Sequence, residues 1–102
     1  MLKVSLYTET KPNLAELVSK YFDGATLIQA KGLWKGNLED STIIQIVLDR
    51  DEVYSQGDDI DKLVQNIISL NNQEAVLVEY QRVESSLVRR IKQNGKEATE
   101  VS

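Results

Sequence analysis

Leu2-Lys3-Val4-Ser5-Leu6-Tyr7 opens the chain, and Leu14-Ala15-Glu16-Leu17-Val18-Ser19-Lys20-Tyr21 follows it after a single proline. The hydrophobic period changes between the two. Apolar residues alternate in the first stretch, as in a strand with one buried face, whereas Leu14, Leu17, Val18 and Tyr21 follow helical spacing. Two β-rich runs come next, at residues 25–35 and 41–49. A second helical set follows at Ile60, Leu63, Val64, Ile67 and Ile68, and then the run Ala75-Val76-Leu77-Val78-Glu79-Tyr80. The order strand, helix, strand, strand, helix, strand predicts an α+β protein, a ferredoxin-like βαββαβ two-layer sandwich with an antiparallel sheet. The prediction places one domain over residues 1–92 and a polar, frayed tail over 93–102.

Local signals set the expected boundaries. Pro12 sits where a helix tolerates its missing N–H, and Asn13 with Glu16 fits a capping box. The first helix is expected to stop near Asp23-Gly24, with glycine as a left-handed cap. Gly36-Asn37-Leu38-Glu39-Asp40 has the composition of a hairpin connection. Residues 49–59 read as a long acidic loop, the most mobile internal segment, with Asp58 or Asp59 capping the second helix. That helix fades at Asn71-Asn72. Residues 85–92 suit either a short fifth strand or a docked extension.

Composition narrows the chemistry. The chain has 102 residues, a hydrophobic fraction of 41%, no cysteine and no histidine. A disulfide framework, a thiolate zinc site and cysteine nucleophilic catalysis are excluded. The usual imidazole base and the commonest metal ligand are missing too, which weighs against an enzyme and against tight transition-metal binding. Net charge is −4, yet residues 82–96 carry Arg82, Arg89, Arg90, Lys92 and Lys96 against Glu84 alone. The acidic remainder disfavours broad nucleic-acid contact, and the basic segment reads as an ordinary solvated surface. No apolar stretch approaches a membrane span, and Met1-Leu2-Lys3-Val4 runs straight into a strand, so a cytoplasmic location is expected.

Both faces of the expected sheet contain apolar residues. With Ile44, Ile46 and Leu48 toward the core, Ile43, Gln45 and Val47 form the opposite row. In the preceding strand Ile28, Ala30 and Trp34 share one face, and Leu27 and Leu33 the other. A contiguous apolar second face, with Leu33, Ile43, Val47 and Leu77 exposed together, predicts a homo-oligomer.

Three segments carry a family resemblance. Tyr21-Phe22-Asp23-Gly24-Ala25-Thr26-Leu27, Gly32-Leu33-Trp34-Lys35-Gly36 and Asn72-Gln73-Glu74-Ala75-Val76-Leu77-Val78 together resemble an uncharacterised bacterial family, a domain of unknown function. The similarity covers roughly residues 20–80 and implies no assigned activity. In topology alone the chain is also similar to PII and CutA signalling-type proteins, although their ligand-loop motifs are absent.

Trp34-Lys35, bracketed by Gly32 and Gly36, is the best candidate ligand site, with Tyr80 as a third member, because glycines admit a close approach and an exposed indole can stack. A core or subunit-interface role for Trp34 is the ordinary alternative. Asp49, Asp51, Glu52, Asp58, Asp59 and Asp61 are oxygen donors, but their spacing does not match an EF-hand, and no metal site is assigned. Glu79 and Tyr80 with Lys31 or Lys35 would offer an acid–base pair, though such charges on neighbouring strands more often serve register. Ser85-Ser86 has no histidine base and no Ser-x-x-Lys arrangement. The resulting expectation is a small oligomeric binding or regulatory protein, non-enzymatic and free of cofactors, acting through protein–protein contacts. The alternative is a PII-like small-molecule or nucleotide sensor, with its site at a subunit cleft near Trp34, Lys35 and the 49–59 loop.

Overall fold

A computed structural model describes residues 1–88 and residue 90. Its elements are β1 (Leu2–Glu9), α1 (Leu14–Ser19), β2 (Thr26–Trp34), β3 (Asn37–Leu48), α2 (Arg50–Leu70) and β4 (Leu77–Arg82). The strands form one sheet in the order β2-β3-β1-β4, and every neighbouring pair is antiparallel. The chain is therefore α+β, with a four-stranded antiparallel sheet and two helices. No helix among the described residues is long and apolar enough to cross a membrane.

The core lies between one sheet face and the helices. Val4 and Leu6 on β1 sit against Ile46 and Ile44 on β3, and Leu48 extends the row. The helical segments supply Leu14, Leu17 and Val18, then Phe22, and Ile60, Leu63 and Ile67. All are buried.

Several boundaries differ from expectation. Asn13 precedes α1, but its side chain makes no capping bond, and its Oδ1 is buried without a partner. The helix ends at Ser19, and Gly24 does not take a left-handed φ. The β2–β3 hairpin is tighter than the composition of residues 36–40 suggests. Lys35 (φ 49°) and Gly36 (φ 80°) make the whole turn, and β3 starts at Asn37. Two successive left-handed residues match strand twist as in a type I′ turn. β4 begins at Leu77 rather than Ala75.

The largest correction concerns residues 49–59, which are not a loop. Asp49 caps α2 directly after β3: it accepts from Glu52 N at 2.8 Å, and Glu52 Oε1 accepts from Asp49 N at 3.0 Å. This reciprocal box satisfies two orphan amides and sets carboxylates at the positive end of the helix dipole. Asp58 and Asp59 are therefore interior helix residues, not caps. The inward positions of the first turns are the half-buried Glu52 and Gln56, and Gln56 Nε2 donates to Tyr21 O at 2.8 Å. Polar residues at inward positions erase the apolar period that signals a helix.

Gly57, a poor helix former within the same segment, makes a direct test. It lies in the interior of α2, is exposed, and has nothing within 4 Å of an added Cβ. Gly57→Ala is expected to stabilise the chain by about 0.5–1 kcal/mol, the helix-interior penalty of glycine. A raised urea midpoint with an unchanged slope would show it, and a lowered midpoint would argue against a formed helix at residues 50–59.

Among the described residues, 83–88 form no strand beyond a single bridge at Val88, and Val83 N donates to Met1 O at 3.0 Å. The rest of the expected fifth strand, residues 89, 91 and 92, and the tail at 93–102 lie outside the described residues.

Candidate functional site

Register decides which candidates meet. Leu27 pairs with Ile44, so Leu27, Gln29, Lys31 and Leu33 are on the helix side of the sheet. Ile28, Ala30, Gly32 and Trp34 are on the open side. Tyr80 pairs with Val4 and so belongs to the helix side, 57% exposed at its margin. Trp34 and Tyr80 are on opposite faces, and the structure does not bring them together.

The same register corrects the expected interface. Ile43, Val47 and Leu77 are on the open face, but Leu33 is on the other. The open face is not contiguously apolar. One apolar row crosses all four strands, Ile28–Ile43–Tyr7–Leu77. Beside it runs the polar row Thr26–Gln45–Ser5–Glu79, which separates Val47 from the apolar row. Alternation within each strand was readable, whereas the rows depend on how strands pair.

The β2–β3 hairpin extends past the end of β1, whose last pair is Glu9 with Ser41. Its tip meets the α2–β4 connection. Trp34 Nε1 donates to Glu74 Oε2 at 3.3 Å, and Lys35 Nζ reaches Glu74 Oε1 at 3.0 Å and Oε2 at 3.3 Å. Lys35 Nζ also lies 5.8 Å from the centre of the indole ring. Glu74 thus holds two neighbours on the turn at once.

The connection that carries Glu74 is itself fixed. Asn72 takes a left-handed φ of 52° after α2, and Gln73 N donates to Ile68 O at 3.0 Å, closing the helix end. The Gln73 side chain then ties the connection to β1. Its Oε1 accepts from Glu9 N at 3.3 Å, and its Nε2 donates to Glu9 Oε2 at 3.2 Å. Lys11 pairs with Glu9 Oε1 at 3.4 Å.

Between hairpin tip, β1 end and connection lies a groove of about 740 Å³. Tyr7, Glu9, Gly32, Trp34, Glu39 and Leu77 line it, with residues 72–76 along one wall. A Cβ at position 32 would meet Ser41 Oγ, so any larger residue there requires the Ser41 hydroxyl to rotate away. The groove therefore combines an indole, aliphatic groups and three carboxylates. A second cavity, of about 810 Å³, opens at the other end of β1 among Leu48, Asp49, Val53, Tyr54 and Arg82. Trp34 and Lys35 are thus at the opposite end of the sheet from Asp49, and one chain does not assemble the cleft expected from Trp34, Lys35 and residues 49–59.

Other candidates are dispersed. Glu79 accepts from Tyr7 OH at 3.1 Å, Lys31 pairs with Asp40, and Lys35 pairs with Glu74. The acid–base grouping of Glu79, Tyr80 and lysine is not formed. Asp51, Glu52, Asp58, Asp59 and Asp61 are strung along α2, and among the described residues no three acidic groups converge as a metal site. Glu74, Gln73, Glu9 and Tyr7 escaped the sequence reading as site members, since nothing local marks them.

Hydrogen bonding from Lys35, then from Trp34, holds the Glu74 carboxyl below its ordinary pKa, and the Lys35 charge adds to it. Gln73 and Lys11 lower that of Glu9 similarly. The hydrogen bond to Glu79 raises the Tyr7 phenol. A lowered folded-state pKa means that the Glu74 contact contributes fully above the unfolded value, about 4.3, and is lost as pH falls through the folded value. Trp34 is the single tryptophan, so its fluorescence reports this contact. The emission is expected to stay constant from neutral pH to about pH 4.3 and to shift red below it, while far-ultraviolet circular dichroism is retained at the onset. An emission that Glu74→Ala leaves unchanged at pH 7 would refute the contact.

No protein-family model and no curated relative matches the chain. Among solved structures it is similar to a de novo designed protein, Foldit4, with a TM-score of 0.45 and 11% identity, over 81% of this chain and 96% of that one. A likeness of that degree says nothing about what this chain binds or does.

Proposed function

We propose that the chain is a non-enzymatic binding protein on a ferredoxin-like frame, homo-oligomeric, that engages another protein through the groove beneath Trp34. The ferredoxin-like reading is supported by the strand order β2-β3-β1-β4 and by the two helical crossovers, β1–α1–β2 and β3–α2–β4, on one sheet face. The observation that carries the function is the Glu74 clamp on Trp34 and Lys35, which fixes an indole 48% exposed at the mouth of an open groove. Half-exposed aromatics held rigidly are typical anchors for protein contacts.

The lining favours this over a nucleotide sensor. Glu9, Glu39 and Glu74 surround the groove, and the cation on its rim, Lys35, is already paired with Glu74. A phosphate would meet carboxylates and find no free cation among these groups. An apolar peptide segment carrying lysine or arginine fits the charge and the lining. The oligomeric part of the reading is supported by the uncovered row Ile28–Ile43–Tyr7–Leu77.

A titration that follows Trp34 emission tests the reading, with an array of short apolar peptides bearing lysine or arginine and a parallel panel of nucleotides. Peptides are expected to move the emission, and Glu74→Ala to weaken that response. A nucleotide that raises thermal stability, by about 2.7 kcal/mol at a hundredfold excess over its Kd, with no peptide response, would overturn the proposal in favour of the sensor.

A further inference from the structure

β2 is an edge strand of nine residues, Thr26–Trp34, hydrogen-bonded to β3 on one side and with no strand beside its other side among the described residues. Seven of its residues are exposed, all except Ala30 and Gly32. Natural edge strands are protected by charges, proline, bulges or covering loops, because their free N–H and C=O groups recruit other strands. β2 has no proline, its pairing with β3 is continuous without a bulge, and its single charge, Lys31, is paired with Asp40 on β3. Among the described residues nothing covers this edge, which leaves it able to pair with another strand.

We propose that the occupant is β2 of a second copy, paired antiparallel about a two-fold axis through Ala30, to give a continuous eight-stranded sheet. An axis perpendicular to the sheet keeps both helical layers on one side, and it requires a residue to face itself. Centring on Ala30 is the one choice that pairs all nine residues. Thr26 then faces Trp34, Leu27 faces Leu33, Ile28 faces Gly32 and Gln29 faces Lys31, each combination occurring twice. Leu33, 70% exposed at the outer part of the strand, gains an aliphatic partner on its own face. Facing apolar pairs stabilise a ladder, and like charges directly opposed destabilise it. Moving the centre to Lys31 would oppose the two lysines, and moving it to Gln29 would set Leu27 against Lys31. Of these three registers only the Ala30 one faces Leu27 with Leu33, and it opposes no like charges. This inference rests on the oligomeric part of the proposed function, moves its contact from the open-face row to the β2 edge, and shares Trp34 with the groove.

The absence of cysteine allows a clean test by single-thiol cross-linking. In the proposed register Ala30→Cys places the thiol opposite its own copy, within the Cα separation that a disulfide spans. Mild oxidation is expected to convert Ala30→Cys to a covalent dimer at least tenfold faster than Val47→Cys, which is exposed on the open face. Ala30→Lys, which opposes like charges at the axis, is expected to lower the mass seen by light scattering from dimer to monomer with circular dichroism unchanged. Wild-type protein that is monomeric at 100 micromolar, or faster cross-linking at Val47→Cys than at Ala30→Cys, would overturn the proposal. Loss of peptide binding at Trp34 with the dimer intact would instead count against the groove alone.

Discussion

Glutamate in place of Ile46 is expected to unfold the chain, whereas glutamate in place of its neighbour Val47 leaves it folded. Ile46 is 1% exposed and sits opposite Val4 in the layer between sheet and helices. A carboxylate there has no cation within the core cluster, which is wholly apolar. Burying an unpaired charge costs several kcal/mol, comparable with the total stability of about 5–15 kcal/mol for a small domain. Val47 points the other way, is 43% exposed, and has Lys3 as its cross-strand partner. A glutamate at that position gains an opposite-charge pair of about 0.2–1 kcal/mol. Circular dichroism with urea titration of both variants reads the outcome. Equal losses in the two would show that the strand is rotated relative to the face assignment. An assembly paired through β2 survives Val47→Glu, so light scattering on the same sample also separates edge pairing from association through the open face.

Leu63→Ala is expected to lower stability by about 2–5 kcal/mol, the usual range for truncating a buried leucine. Leu63 is fully buried between Ile60 and Ile67 on the inward stripe of α2. In a domain of this size each kcal/mol moves the melting temperature by roughly 4–8 °C, so the loss is large enough to read by thermal melting as well as by urea. Tyr54→Ala, on the outward face of the same helix, should stay within about 0.5 kcal/mol. A Leu63→Ala cost below 1 kcal/mol would mean that α2 does not form the second layer.

The element order was legible because each hydrophobic period is local: two residues in β1, three to four in α1 and the second half of α2. The first half of α2 was not, since Glu52 and Gln56 hold the inward positions and Gly57 follows them. Alternation in β2 separated Leu27 and Leu33 from Ile28, Ala30 and Trp34, yet both sets are apolar, and only pairing with β3 tells which one faces the helices. The same gap made the open face look more apolar than it is, because Ser5 and Glu79 interrupt it from other strands. At the groove, Trp34 and Lys35 stood out between their glycines. Their partner Glu74 did not, because the contact arises from hairpin overhang and helix closure, which no short window of sequence encodes.

The two-residue turn at Lys35-Gly36 also sets an order of events during synthesis. β2 and β3 are adjacent in the chain, and a hairpin of this kind closes in about 1–10 μs. β1 is made first, but its two neighbours come later, with pairs as distant as Leu2 and Arg82. At the usual pace of translation the interval between Leu48 and Arg82 lasts on the order of seconds. During that interval the hairpin opens and closes repeatedly, since an isolated pair of strands is marginally stable, while its outer edge has no cover. If β2 is the subunit contact proposed above, the first neighbour able to meet that edge on a crowded polysome is the same segment of the next nascent chain, and pairing would begin before either core is closed.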